Sequence, residues 1–268
     1  MRTEDLVREF TAAEWWLSSL RGDVREVRGT RFVRNDDLAR VFDANLGWVD
    51  DPETDLRDLE ASWDAVFSGS AVRHRKFVFG DAEAAFRRQE EFAAAGYVPE
   101  AAYVMLHAGE KACVTNDEVE VRPVPADDPD FAAIRLGVEA AEGYDPEVVD
   151  QLARKGDREA KAAGTACFVG YLRGEPAGMV GLHTFREIGV VDYVGTLPAL
   201  RGRGVGVTLL CRTIEQSRLL GHRHLLLSVD LDNPAKRIYE DLQFRVIGEI
   251  RAFLLEAPAT TPRSNIGI

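Results

Sequence analysis

The segment Val119-Glu-Val-Arg-Pro-Val alternates apolar and polar side chains, the period of a strand with one buried face. From it an ordered series of elements can be read. A strand over about 118–124 leads into helical stretches at about 128–139 and 146–163, the second highly charged. Thr165 to Leu172 and Pro176 to Phe185 read as strands joined by a Gly174-Glu-Pro turn, hence a hairpin. Glu187 to Thr196 is a further strand, and Gly204 to Leu220 a helix. The expected order closes with a strand from His224 to Asp230, a helix from Pro234 to Leu242 and a last strand from Val246 to Leu255. Residues 258–268 are polar and Pro-containing, the character of a mobile tail.

The first half of the chain repeats part of this pattern. His74-Arg-Lys-Phe-Val-Phe-Gly, a helical stretch from Asp81 to Ala95, Gly96-Tyr97 and Ala101-Ala-Tyr-Val-Met-Leu read as strand, helix, turn, strand. His222-Arg-His-Leu-Leu-Leu-Ser-Val, Asn233 to Leu242, Gln243-Phe244 and the run from Glu249 read the same way. The pairs His74/His222 and Tyr97/Phe244 are 148 and 147 residues apart, which points to a duplicated domain and not to a short-period solenoid. The expected boundary lies near residues 112–120. That gives a first domain over 1–115 and a second over 116–257, with Pro123, Pro125 and Pro129 punctuating the start of the second.

Bulk properties narrow the class. An apolar fraction of 46% supplies ample core for two domains, and 29% charged residues suit a water-exposed surface. No 18-residue apolar run is present, so no membrane span is expected, and the N-terminal stretch lacks the apolar core of a signal peptide. The resulting expectation is a cytoplasmic protein. A net charge of −12 argues against nucleic acid as a partner and tolerates a cationic substrate. Cys113, Cys167 and Cys211 are odd in number, far apart and outside any C-x-x-C pair, so they read as buried thiols.

The densest chemical signal is Arg201-Gly202-Arg203-Gly204-Val205-Gly206, between a β-branched strand and a helix. Glycines tolerate a left-handed backbone and let the chain approach a ligand closely. The helix start offers unpaired N–H groups to an anion. No Lys follows as a P-loop requires, and the third glycine step is wrong for a dinucleotide fingerprint. A tight turn with glycines for geometry alone is the plain alternative. When the first-half repeat is aligned, this loop falls on Asp50 to Glu60, which has no glycine and six carboxylates and would repel a pyrophosphate.

The spacing R-x-x-G-x-G, read as Arg201, Gly204 and Gly206, resembles the acetyl-CoA signature of the GNAT N-acetyltransferase superfamily. Val194-Gly195-Thr196-Leu197-Pro198 ahead of it, Asn233-Pro234-Ala235, and Tyr239 ahead of Phe244 strengthen the resemblance over about residues 118–256. The resemblance implies an α/β (α+β) fold of two GNAT-like domains, each a mixed, mostly antiparallel sheet flanked by helices. The layout is similar to that of tandem enzymes of the mycothiol synthase type, with the first half a degenerate copy lacking the cofactor site. It also implies a pantetheine arm running along Val194, Gly195 and Thr196, and a pyrophosphate held at Arg201, Gly202, Arg203, Gly204, Val205 and Gly206. Asn233 stands at a CoA-contacting position, although capping of the next helix accounts for Asn-Pro equally well. Val194 also fits plain strand packing.

Tyr239 is the catalytic candidate the resemblance implies, a phenol placed to donate to the CoA sulfur as the thiolate leaves. Two positions depart from the family pattern. Gln243 stands where a Gly is usual and must then take a left-handed turn. Val190 stands where many members carry a Glu base. Asp192, on the same strand face by a period of two, is the favoured substitute, Glu187 the other, and Tyr193 is expected on the opposite face. His222 and His224 have no further ligands in reach and read as surface or capping histidines, and no metal is expected. Glu142-Gly-Tyr-Asp and the charged helix from Asp150 to Lys161 fall in the family's variable substrate region, where carboxylates can meet a cationic amine or simply face solvent. The four tryptophans, all in the first half, read as core or interdomain packing. The reading is therefore an acetyl-CoA-dependent N-acetyltransferase. Its acceptor would be a small-molecule or peptide amine, with no membrane partner and with a homodimer left open. A noncatalytic CoA-binding protein is the rival.

Overall fold

The computed structural model describes residues 2–109 and 113–256; the expected tail at 258–268 lies outside the described residues. In chain order the elements begin with α1 (Thr3–Ser19), β1 (Asp23–Val27), β2 (Thr30–Arg34), β3 (Leu46–Val49) and α2 (Leu56–Phe67). Next come β4 (His74–Phe79), α3 (Ala82–Arg87), α4 (Gln89–Ala94), β5 (Val98–His107) and β6 (Val119–Val124). Then follow α5 (Pro129–Ala141), α6 (Pro146–Ala162), β7 (Ala166–Leu172), β8 (Glu175–Phe185) and β9 (Ile188–Thr196). The chain closes with α7 (Val205–Leu219), β10 (His224–Asp230), α8 (Lys236–Asp241) and β11 (Phe244–Glu256). The architecture is α/β, mixed sheet flanked by helices, and every element expected between 118 and 256 is present.

Two compact units partition the chain, Met1–Tyr103 with the segment from Gly248, and Val104–Ile247. The division falls within β5 and β11, so the linker expected near 115 lies inside the second unit.

In the first unit the strand order is β1-β2-β3-β4-β11, antiparallel except for the parallel pair β3–β4 that α2 connects. Its core is aromatic. Trp63 stacks on Phe67 at 4.0 Å and meets Phe77 edge-on, and Phe92 stacks on Phe253 at 4.0 Å. Two polar groups are buried with partners. Lys76 lies between Asp43 and Glu100, each at 2.7 Å, and His74 Nε2 lies 3.0 Å from the Asn45 carbonyl.

In the second unit the order is β10-β9-β8-β7-β6, antiparallel except for the parallel pair β9–β10 that α7 connects. Phe131, Ile134, Ala160, Val169, Tyr171 and Met179 form a core cluster that joins α5 and α6 to the sheet. Both helices start where the sequence provides a cap. Asp128 and Asp145 accept from the first-turn N–H groups, with Pro129 and Pro146 at the first helical position.

The cysteine reading needs correction. Cys113 and Cys211 form a disulfide with Cα atoms 5.8 Å apart; Cys167 alone is a free, buried thiol. The pairing follows from a docking that spacing does not reveal. The Asn116 N–H donates to Thr208 Oγ1 (3.0 Å), and Asn116 Nδ2 donates to the Arg203 carbonyl (2.9 Å). These bonds hold residues 113–118 along the first turns of α7.

Candidate active site

The second unit carries the candidate site because two neighbouring strands part. β9 and β10 pair from Ile188↔His224 to Val190↔Leu226 and no further, yet β9 runs on to Thr196 and β10 to Asp230. On its other edge β9 stays bonded to β8 out to Thr196↔Gly178. The edge of β9 that faces β10 therefore presents backbone groups at Val194, Gly195 and Thr196 to a gap, an acceptor for one more extended segment.

The glycine loop stands at the mouth of this gap. Gly202 (φ +74°) and Gly204 (φ +77°) are left-handed, and Gly204 is the N-cap of α7. A cap without a side chain leaves the first-turn N–H groups of α7 uncovered, where the helix dipole is positive. Arg201, Gly202 and Arg203 are exposed, Gly206 is partly buried and Val205 is buried in the core. Arg201 Nε donates to the Thr196 carbonyl (3.3 Å), and its guanidinium lies 3.8 Å from Glu142. Cations, free N–H groups and a left-handed turn together suit a pyrophosphate.

At the inner end of β9 the strand bulges. Its register against β8 shifts between Met179 and Gly181, and Tyr193 takes φ +54°. The bulge turns Asp192 and Tyr193 to the same face. Asp192 Oδ2 lies 3.2 Å from His183 Nε2, and the Tyr193 ring lies 5.5 Å from the His183 ring. The expected opposite placement of Tyr193 is thus wrong, because strict alternation does not survive a bulge. Tyr193 instead reaches α6, where its hydroxyl donates to Glu159 (2.6 Å), and it packs beneath the fully buried Arg135 guanidinium, 4.6 Å above its ring.

Asp192 is the most strongly perturbed acid here. Burial pushes its carboxyl up, but the hydrogen bond from His183, the charge of Lys155 and the Tyr193 N–H outweigh it. The carboxyl is held below the usual range. Its side chain is still 40% exposed, so a ligand can reach it. Tyr239 on α8 is buried, and burial together with the Asp192 charge pushes its phenol up to about 12. The two catalytic candidates therefore act on each other electrostatically. Glu139 on α5 joins them; desolvation, then the charges of Glu142 and Asp192, raise its carboxyl against the pull of Lys155 and Arg135.

The other sequence candidates separate from this cluster. Glu187 pairs with Arg223 (3.1 Å), both well exposed, at the start of β9 and away from the bulge. Val190 is buried. Asn233 is exposed, and its Oδ1 accepts from the Ala235 N–H (2.9 Å) ahead of α8. Gln243 has the left-handed backbone expected of it, φ +68°, and its carbonyl accepts from the Ala108 N–H. Both ring nitrogens of His222 face hydroxyls, Ser217 and Thr184, each at 3.0 Å, as a capping histidine would. Glu159, His183 and Asp192 bring ligand-type atoms within 4.8 Å of one another, and each already has a hydrogen-bond partner. His183, Thr165 and Glu139 escaped sequence reasoning. Only the β8–β9 register and the packing of α5 bring them to Asp192. Among the described residues no helix is long and apolar enough to cross a membrane.

The model of the acetyltransferase (GNAT) family matches residues 134–244. No curated protein matches the chain. Solved structures share the fold over most of its length. A GCN5-related N-acetyltransferase from Kribbella flavida is 14% identical and covers 94% of this chain and 96% of its own (TM-score 0.64). A functionally unknown conserved protein from Staphylococcus epidermidis is 15% identical, with coverage of 88% and 95% (TM-score 0.62). A tandem GNAT protein from the clavulanic acid biosynthesis pathway is 14% identical, with coverage of 76% and 69% (TM-score 0.53).

Proposed function

We propose that this chain, whose residues 134–244 match the model of the acetyltransferase (GNAT) family, moves an acetyl group from acetyl-CoA to a primary amine by direct attack on the thioester. The observation that carries the reading is the gap that opens past Val190↔Leu226 with the glycine loop at its mouth. The pantetheine arm would lie along Val194, Gly195 and Thr196 as an added strand. The pyrophosphate would sit on the first turn of α7 at Gly204, Val205 and Gly206, with Arg201, Gly202 and Arg203 around it. Asn233, whose oxygen already accepts from the Ala235 N–H, would offer its amide nitrogen to the cofactor.

The chemistry follows from the charges. The amine arrives as an ammonium, and the ionised Asp192, with Glu139 nearby, attracts it. A carboxylate held so low is a weak base, so the ammonium proton passes to solvent beside Asp192. The freed lone pair attacks the thioester carbon, forming the C–N bond and an oxyanion. Collapse breaks the C–S bond, the nitrogen loses its second proton, and the thiolate gains one to become CoA thiol. A phenol pushed up to about 12 stays protonated, so Tyr239 would assist by donating a hydrogen bond to the sulfur as charge builds there. The first unit is read as a degenerate copy without this site.

The test is release of CoA thiol across a panel of small and peptidyl amines, with Tyr239→Phe alongside. Tyr239→Phe is expected to lower kcat by about 10- to 100-fold while acetyl-CoA affinity holds. Acetyl-CoA binding with no thiol release from any amine would reduce the chain to a CoA-binding module.

A further inference from the structure

His183 is fully buried near the C-terminal end of β8, yet both of its ring nitrogens are engaged. Nδ1 lies 2.8 Å from Thr165 Oγ1, and Nε2 lies 3.2 Å from Asp192 Oδ2. Thr165, at the lead into β7, is itself buried. The other oxygen of Asp192, Oδ1, accepts from the Tyr193 N–H (2.7 Å), a donor that exists in that direction only because of the bulge. The carboxylate is therefore gripped on both oxygens, from the strand beside it and from its own backbone. The buried Val190 pairs directly with His183 across the sheet.

We infer that His183 is a positioning residue for acetyl transfer: with Nδ1 accepting from the Thr165 hydroxyl, the ring carries its proton on Nε2, donates it to Asp192, and so fixes the carboxylate toward the acceptor amine. Burial keeps His183 from touching substrate, so all of its effect passes through Asp192. Thr165 acts one step further back by selecting the tautomer. The arrangement inverts the usual acid–histidine pair: here the imidazole is the hidden orienter and the carboxylate is the exposed working group. Other charged or titratable groups around the pair are Arg135 and Glu139 on α5, Lys155 and Glu159 on α6, Tyr193 on β9 and Tyr239 on α8.

This rests on the proposed acetyl transfer to an amine, and the experiment separates the two. Wild-type chain that releases no CoA thiol from any amine defeats the transfer reading itself. With turnover in hand, His183→Leu is expected to lower kcat/KM for the amine by about 10- to 30-fold while leaving KM for acetyl-CoA unchanged. It should also move the acid limb of the pH profile to higher pH, because loss of the donor lets the Asp192 carboxyl rise. His183→Gln, which keeps an N–H near Nε2, should recover most of the activity and return the limb. In an Asp192→Asn background, His183→Leu should add no further loss. A second readout is independent of turnover. In ¹⁵N-histidine spectra, the pair of signals lost in His183→Gln should show a protonated Nε2 and an unprotonated Nδ1, and Thr165→Val should disturb that pattern. An unmoved acid limb, losses that multiply in the double variant, or a proton on Nδ1 would each overturn the inference.

Discussion

The chain builds the same three-part piece twice, β3–α2–β4 in the first unit and β9–α7–β10 in the second, each a parallel strand pair joined through a helix. The two helix starts differ in kind. α7 begins at a left-handed glycine with no side chain to cover its N–H groups, whereas α2 begins at Asp55, whose carboxylate accepts from the Arg57 N–H (2.8 Å). In one copy the positive end of the helix is left open for a ligand's charge; in the other the protein's own carboxylate fills it. The strands differ in parallel fashion. β3 pairs with β4 up to its final residue, Val49↔Phe79, while β9 outruns its pairing with β10 by six residues, from Val191 to Thr196. Aromatic packing against α2 fills the first copy, and an open strand edge marks the second. The two pieces thus differ in one helix cap and in how far one strand pair runs.

Three changes probe that contrast, beginning with the largest expected effect. Trp63→Ala removes the ring that stacks on Phe67 and should cost the first unit about 3–5 kcal/mol in denaturant unfolding. A loss under about 1 kcal/mol would mean the aromatic seal is not what stabilises that copy. Gly204→Asp transplants the carboxylate of the first copy into the second. It sets a negative charge where the proposed pyrophosphate would lie, a Cβ at φ +77°, and that Cβ 3.2 Å from Asn116. Calorimetry should show one acetyl-CoA per wild-type chain and about 100-fold weaker binding in the variant, near 3 kcal/mol. Two bound molecules, or unchanged affinity in Gly204→Asp, would break the contrast. Asp55→Ala should destabilise by only about 1 kcal/mol, seen as a small drop in melting temperature. It should create no acetyl-CoA binding, since baring the helix end does not splay β3 from β4.

Much of this was readable in the sequence where the cause is local. The glycine turn before α7 and the hairpin turn each depend on residues a few positions apart. The left-handed Gln243 was foreseeable for the same reason. What alternation could not convey was the bulge at Tyr193, because a period of two assumes the unbroken ladder that a bulge interrupts. The partnership of His183 with Asp192 depends on the β8–β9 register, and the Cys113–Cys211 pairing on how residues 113–118 lie along α7. Both are long-range facts to which residue types give no pointer. The division into units likewise followed strand sharing by β5 and β11, not the composition of a linker.

The disulfide has one more consequence, a topological one. Joining residues 98 apart, it closes a covalent ring that contains β6 through β9, α5, α6, the glycine loop and the first turns of α7. Tyr239 lies outside that ring. A protease that cuts once at an exposed turn within it, such as Gly143 or Gly174, would yield two peptides still tethered to each other. The cofactor loop would stay leashed to both fragments until a reductant opened the ring.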